Sequence, residues 1–544
     1  MTSWPNITFV SLSFTYLPYA DTGYFSQLVV DYLNGTNDLK EFYTYTPDKD
    51  GLEQAIADRK NFPIDRKVLT DTLRKQYEAL PKYEAVDKNI ELLAKDTTYT
   101  VCTAHQPNLM TGYLYFIYKI VHAIKLAEEL KAAHPENDFV PVYYMGSEDN
   151  DLDELGTFRY EDKKFVWDAN GQTGAVGRMD TKSLKPLLAE LFKLLGPPGN
   201  NLEEVKQLLE EAYLKHNNIS DATQHLVHQL FGRFGLVVLN PDETSFKKSI
   251  IPIIKDDLLQ QTAVGIVTNT IDKLDVHYKV QAHPRPINLF YLHNQLRERI
   301  EKTGDSWHVV NTDITWSEQE LMAEVDTHPE RFSPNVILRG LFQETILPNV
   351  AFIGGGAEVA YWLQLKALFT QFHVFYPAIL LRQSALWINS HAAKTRKQSG
   401  LSIADIFQKE LALVKNYVLN NSEDDWQTSE ETKTIEQTID QLKQKAVSLD
   451  PTLRSSADAV LAKIKHQLQV MEKKMYRAEK RKMQTQLARI AKLKKILFPN
   501  DGLQERADNF LPYYLQQGSN YFTILKEATR PLDNTFLIIE ESMD

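Results

Sequence analysis

An α/β core followed by an antiparallel helical coiled coil is the fold class the sequence predicts, and three observations carry it. Short apolar runs alternate with amphipathic segments through residues 1–400. The clearest runs end in polar or glycine-rich loops that open helices, the pattern of parallel strands joined by crossovers. From Thr428 the apolar residues switch to a 4-3-4-3 spacing, which is that of a coiled-coil seam.

Thr98 to Thr103 reads as a strand, Ala104 to Thr111 as a loop, and Tyr113 to Leu130 as a helix with Phe116, Ile117, Ile120, Ile124 and Ala127 on one face. Phe139 to Met145 is a second strand, ending in an acidic loop. Phe234 to Leu239 is a third, followed by a helix around Phe246 to Gln260. Val350 to Ile353 is a fourth, leading through Gly354, Gly355 and Gly356 into a helix that ends near Phe372. Parallel sheets of this kind bind ligands at the carboxyl ends of their strands, so the loops there are the places to look for chemistry.

Beyond residue 400 the character changes. Thr428 with Glu431 fits a capping box, and the seam then runs through Ile435, Ile439, Leu442, Ala446 and Leu449. Asp450 and Pro451 suit the start of a second helix, whose seam is Leu461, Ile464, Leu468, Met471, Met475 and Ala478. The five residues to Met483 break the rhythm as a stutter would, before Leu487 and Ile490 restore it. Residues 421–450 carry net charge −5 and residues 461–497 carry +10, so the two arms attract. The expected organisation is a core over 1–400, a helical coiled-coil domain over 401–500, and a segment over 501–544 that returns to the core with the strand-like Phe536 to Ile539.

Composition narrows the function classes. The 544 residues exceed what one hydrophobic core organises, and 43% hydrophobic with 24% charged residues is ordinary for a folded chain. A net charge of −11 argues against a general nucleic-acid coat and leaves a local basic face, the second arm of the coiled coil, as the place where nucleic-acid phosphates would bind. No apolar stretch reaches the roughly 20 residues a bilayer requires, the first basic residue is Lys40, and a single cysteine, Cys102, rules out an internal disulfide. A cytoplasmic protein is expected, with Cys102 as inert packing in a buried strand.

Walker, G-x-S-x-G and H-E-x-x-H signatures are absent. Gly354, Gly355 and Gly356 either bring backbone amides to a phosphate at a helix N-terminus or form only a tight turn. His105, Gln106 and Asn108 lie in a loop ahead of a helix that carries Lys119, a set able to hold a phosphate or carboxylate, with Gly112 closing the turn. Glu148, Asp149, Asp151, Asp153 and Glu154 crowd one strand end, where they are solvated or meet an amine or Mg²⁺. The spacing is not an EF-hand, since Glu154 and Tyr160 stand where glycine and glutamate belong. Arg339, with Gln343 and Glu344 after it, Arg382 with Ser384, and Arg178 in a glycine-spaced turn are candidates for a dicarboxylate or phosphate.

Four ordered blocks then point to a family. Thr103 to Tyr115 (TAHQPNLMTGYLY), Gly146 to Glu154 (GSEDNDLDE), Gly174 to Met179 (GAVGRM) and Phe352 to Trp362 (FIGGGAEVAYW) resemble the bacterial cysteine-adding enzymes of bacillithiol biosynthesis. The resemblance implies a Rossmann-like, nucleotidyltransferase-type core with inserted connecting segments and a coiled coil used for homodimerisation. It implies a ligase that joins the carboxyl group of cysteine to the amine of glucosaminyl-malate, through carboxylate activation by ATP or another adenine nucleotide, with Mg²⁺ as a companion ion. His105 occupies the place of the first histidine of the synthetase H-x-G-H signature, and Pro107 and Asn108 replace its glycine and second histidine.

On this reading His105, Asn108, Lys119, Asp149 and Asp151 are the catalytic candidates. Gln106, Gly112, Glu148, Asp153, Arg178, Arg339, Gln343, Glu358, Tyr361, Trp362, Arg382 and Ser384 bind substrate, Gly354 to Gly356 bind the nucleotide, and no protein metal site is expected. The competing reading is a nucleotide- or RNA-binding protein whose basic arm from Lys463 to Lys495 grips phosphates.

Overall fold

The computed structural model describes residues 10–422 and 427–543. Residues 423–426, which hold three of the acidic residues counted in the first arm, and the outermost residues 1–9 and 544 lie outside the described set.

A five-stranded, wholly parallel sheet organises the core. Its strands are β1 (Thr98–His105), β2 (Asp138–Met145), β3 (Val237–Leu239), β4 (Asn349–Gly354) and β5 (Ala378–Leu381), in spatial order β3-β2-β1-β4-β5. This is the doubly wound Rossmann order, and it reverses direction between β1 and β4, where such sheets open a ligand crevice. Both faces are buried, which is why the strands read as unbroken apolar runs: Val142 and Tyr144 pack into one core cluster, Tyr143 and Met145 into the opposite one. Cys102 lies buried in β1, where burial pushes its thiol well above the ordinary value, consistent with packing.

Register brings the strand ends level. His105 pairs with Met145, and Gly354 with Leu381, so the loops after β1, β2, β4 and β5 open on one edge. The helix after β1 is α1 (Leu114–Ala133), and α2 (Val336–Ile346) precedes β4. The helix after β4 is α3 (Gly356–Leu363); it stops short of Phe372 because a second helix, Lys366–Gln371, takes over.

Between β3 and β4 the chain inserts a five-stranded antiparallel sheet, whose strand Leu296–Thr303 approaches the crevice. A three-stranded sheet joins the chain ends: Val10–Pro18 runs antiparallel to Thr535–Met543, which lies parallel to Ala385–Ile388. The strand that ends at Met543 therefore closes a sheet opened by the strand that starts at Val10.

The coiled coil is a hairpin of α4 (Ser429–Leu449) and α5 (Arg454–Lys482), turned through Pro451–Leu453 with the Asp450 carboxylate accepting the Thr452 N–H at 2.8 Å. Ion pairs Lys443–Asp458 and Lys465–Glu436 join the arms. Two local expectations change. Thr428 starts α4 without a side-chain cap bond. The phase slip before Met483 is a helix break instead of a stutter, and the chain resumes as α6 (Gln484–Leu497). The reason is tertiary: Leu487, Ile490, Leu493 and Leu497 of α6 are buried against the core, whereas much of the hairpin seam is open, with Leu442 and Met471 each 54% exposed.

Candidate active site

A cavity of about 600 Å³ opens at the switch point. Its lining comes from His105 and Gln106 after β1, Gly146, Asp149, Asn150 and Glu154 after β2, Arg339 of α2, Gly355, Glu358 and Tyr361 after β4, and Arg382 after β5. Tyr115 and Lys119 of α1, Arg297 of the inserted sheet and Arg506 beyond the coiled coil complete the wall.

His105 ends β1, its ring edge-on to Tyr115 at 5.3 Å and Phe116 at 5.5 Å between centroids. Burial, then the cations Lys119, Arg382 and Arg339, hold its pKa well below the usual imidazole range, so the ring is neutral at neutral pH. Lys119 donates to the Ala104 carbonyl at 3.0 Å and pairs with Glu358, whose carboxylate also accepts the Gly355 N–H at 2.8 Å. The amide that opens α3 is thus already matched with a built-in carboxylate.

Asp149 accepts from Gln106 at 3.2 Å and pairs with Arg339 at 3.5 Å. Burial would raise this carboxyl, but Arg339 and Arg297 outweigh it and keep it below the ordinary value. Glu154 is pushed the other way by burial and by Asp151 and Asp149. Arg297 stacks 3.9 Å over Phe290, donates to the Asn150 side chain at 2.9 Å, and is lowered by burial to about 10, so it stays charged at neutral pH.

Three buried nitrogens that belong to cavity-lining residues have no protein partner: His105 Nε2, Arg297 Nε and Arg382 Nε. Polar atoms stripped of both water and partners are costly, so their gathering in one crevice marks a place built to receive ligand groups. Among the described residues no group of three or more His, Cys, Asp or Glu side chains is arranged to hold a metal ion.

Comparison with known proteins now bears on this geometry. Residues 12–383 match the family described as bacillithiol biosynthesis BshC, N-terminal Rossmann-like domain, and residues 385–541 match its C-terminal coiled-coil domain. The chain belongs to the BshC family.

Relatives agree along the whole length. A protein of Flavobacterium psychrophilum, named "Putative cysteine ligase BshC", is 41% identical over 529 residues, 97% of this chain and 99% of its own. Same-named proteins of Flavobacterium johnsoniae and Bacillus cereus are 39% and 27% identical, covering 96% and 92% of this chain and 99% and 96% of their own.

Among the BshC-family residues singled out in the sequence, His105, Gln106, Lys119, Asp149, Glu154, Arg339, Gly355, Glu358, Tyr361 and Arg382 meet at the cavity. The others do not line it. Asn108 is buried under the turn, packed against Gly112, where a Cβ would stand 2.9 Å from its own. Asp151 caps a short helix by accepting the Glu154 N–H at 3.1 Å, and Asp153 is exposed. Glu148 is buried in an ion pair with Lys247 at 2.5 Å. Arg178 is held by Asp242 through bonds of 2.7 and 2.6 Å.

Gln343 bonds Glu344 at 2.8 Å, Trp362 packs on Phe352 at 4.5 Å, and Ser384 bonds the Glu505 carboxylate at 3.1 Å. Gly354 and Gly356 serve close packing, since a Cβ would sit 2.9 Å from Glu358 Cβ and 3.3 Å from Val29 respectively. Arg297, Asn150, Tyr115, Tyr144 and Arg506 line the cavity without having been singled out. Arg297 and Arg506 come from segments with no motif, and Tyr115 was visible only as part of the first family block.

Proposed function

We propose that this chain is a carbon–nitrogen ligase that adds L-cysteine to the amine of glucosaminyl-malate, the last step of bacillithiol biosynthesis. The carrying observation is the convergence of unpartnered buried His105, Arg297 and Arg382 nitrogens with carboxylates in one crevice at the switch point of a BshC-family fold. Such a site offers both signs of charge, as a substrate pair with an ammonium and a dicarboxylate requires.

The roles follow from position. Asp149 and Glu154 hold the cysteine ammonium, while Arg297, Arg339 and Arg506 receive the malate carboxylates. His105, neutral in the free protein, accepts a hydrogen bond from the attacking amine. Anionic substrate among the surrounding cations raises its basicity toward proton acceptance. Arg178 and Asp151, engaged elsewhere, take no part.

Amide formation from a free carboxylate needs its oxygen converted into a leaving group, and an adenine nucleotide supplies that activation. Lys119 would face its phosphates. The glycine run fits a phosphate poorly at Gly355, whose N–H is committed to Glu358.

Purified protein incubated with glucosaminyl-malate and cysteine, with and without ATP and Mg²⁺, should yield the amide by mass spectrometry, with AMP or ADP naming the activation. Absence of the amide under every condition rejects this substrate pair.

A further inference from the structure

The cavity is completed by a turn that the chain reaches only after traversing the coiled coil. Gln504–Arg506 forms a single 3₁₀ turn beyond α6, and Arg506 lines the crevice. Glu505 is fully buried and takes both Nη groups of Arg382, at 2.9 and 2.7 Å; the Ser384 hydroxyl and the Ala385 N–H donate to it as well. That grip turns the guanidinium so that its remaining donor, Nε, lies unpartnered beside Gly355.

Charge accounting singles out Arg506. Arg382 is neutralised by Glu505, Arg339 faces Asp149, and Lys119 faces Glu358. Arg297 bonds a neutral amide and shares the field of Asp149 with Arg339, whereas Arg506, exposed on its turn, has no ion-pair partner among the described residues. A guanidinium without an ion-pair partner, on the same cavity wall as Arg297 and Arg339, suits a ligand that brings a carboxylate of its own.

We infer that Glu505 is a positioning residue that presents Arg382 to the cavity, and that Arg506 is a specificity-determining residue that binds a carboxylate of the dicarboxylate substrate. The substrate's identity rests on the function proposed above; dicarboxylate binding does not require turnover. The segment after the coiled coil is thereby a wall of the site.

The test titrates malate into the full-length protein by calorimetry and measures steady-state kinetics in parallel. Arg506→Ala, an exposed change, should weaken malate at least tenfold and raise KM for glucosaminyl-malate by a like factor, with KM for cysteine unchanged. Glu505→Gln should shift the same KM selectively, whereas a merely structural lesion lowers the active fraction and leaves both KM values in place. Should that variant not fold, Glu505→Asp carries the same readout. Wild-type protein that does not bind malate, or Arg506→Ala that binds it like wild type, overturns the inference for Arg506. Unmoved KM values in the Glu505 variant overturn its positioning role. Malate binding that depends on Arg506 without any amide product would sink the proposed ligase reaction and leave this inference standing.

Discussion

Lys119 and Glu358 form a buried ion pair across the switch point, joining the helix after β1 to the helix after β4, with their side chains 4% and 20% exposed. The ammonium also donates to the Ala104 carbonyl and the carboxylate accepts the Gly355 N–H, so one pair ties together both lips of the crevice. Removing Lys119 leaves the largely buried Glu358 carboxylate without its cation.

Lys119→Met should therefore destabilise the protein by about 3 kcal/mol, while the double variant Lys119→Met/Glu358→Gln should recover part of that loss. Urea unfolding measures both. A double variant that is as unstable as the sum of the single ones would show the residues to be energetically independent.

His105 makes no side-chain hydrogen bond at Nε2, so its loss costs packing but no bond. His105→Ala should lower kcat by about 10² to 10³, within the usual range for a proton-transfer group, with a melting temperature close to wild type. Retained turnover in a folded variant would reject the role.

Two arginines that look alike in sequence should behave oppositely. Arg339→Ala, in the cavity, should raise KM for glucosaminyl-malate about tenfold, the cost of one charge-assisted contact. Arg178→Ala breaks the bidentate contact to Asp242 and should lower thermal stability while leaving both KM values unchanged.

His122 is held down at about 3 by burial and by the Arg382 guanidinium, its Nδ1 accepting the Gln383 N–H at 2.9 Å. Unfolded, it titrates near 6.5. The unfolded chain thus takes up a proton that the native protein refuses, so this contribution to stability is complete above pH 6.5 and is lost as pH falls toward 3. In His122→Gln the stability curve between pH 6.5 and 4.5 should be flatter by up to about 1.4 kcal/mol per pH unit, as read by denaturant unfolding at several pH values.

The open seam of the coiled coil calls for a cover. Leu442 and Met471, both 54% exposed, lie on helices whose apolar spacing is that of a packed seam. Light scattering should give the mass of a dimer for the wild type and of a monomer for Leu442→Glu/Met471→Glu. A monomeric wild type would refute the expectation.

The sequence by itself determined the elements whose signals are local. Unbroken apolar runs marked β1, β2, β3 and β4 because strands buried on both faces leave no polar alternation, and seam spacing marked α4 and α5. The family blocks located the loops after β1, β2 and β4 for the same reason: each is contiguous. Tertiary structure alone decided which polar residue in each loop faces the crevice. Asp149 and Glu148 are neighbours in sequence, yet one meets Arg339 in the cavity and the other is consumed by Lys247; Arg178 is spent on Asp242. Only the folded chain could bring Arg297 from an inserted sheet and Arg506 from beyond the coiled coil to the same wall, because a side chain's partner depends on segments hundreds of residues away, and no local periodicity records them.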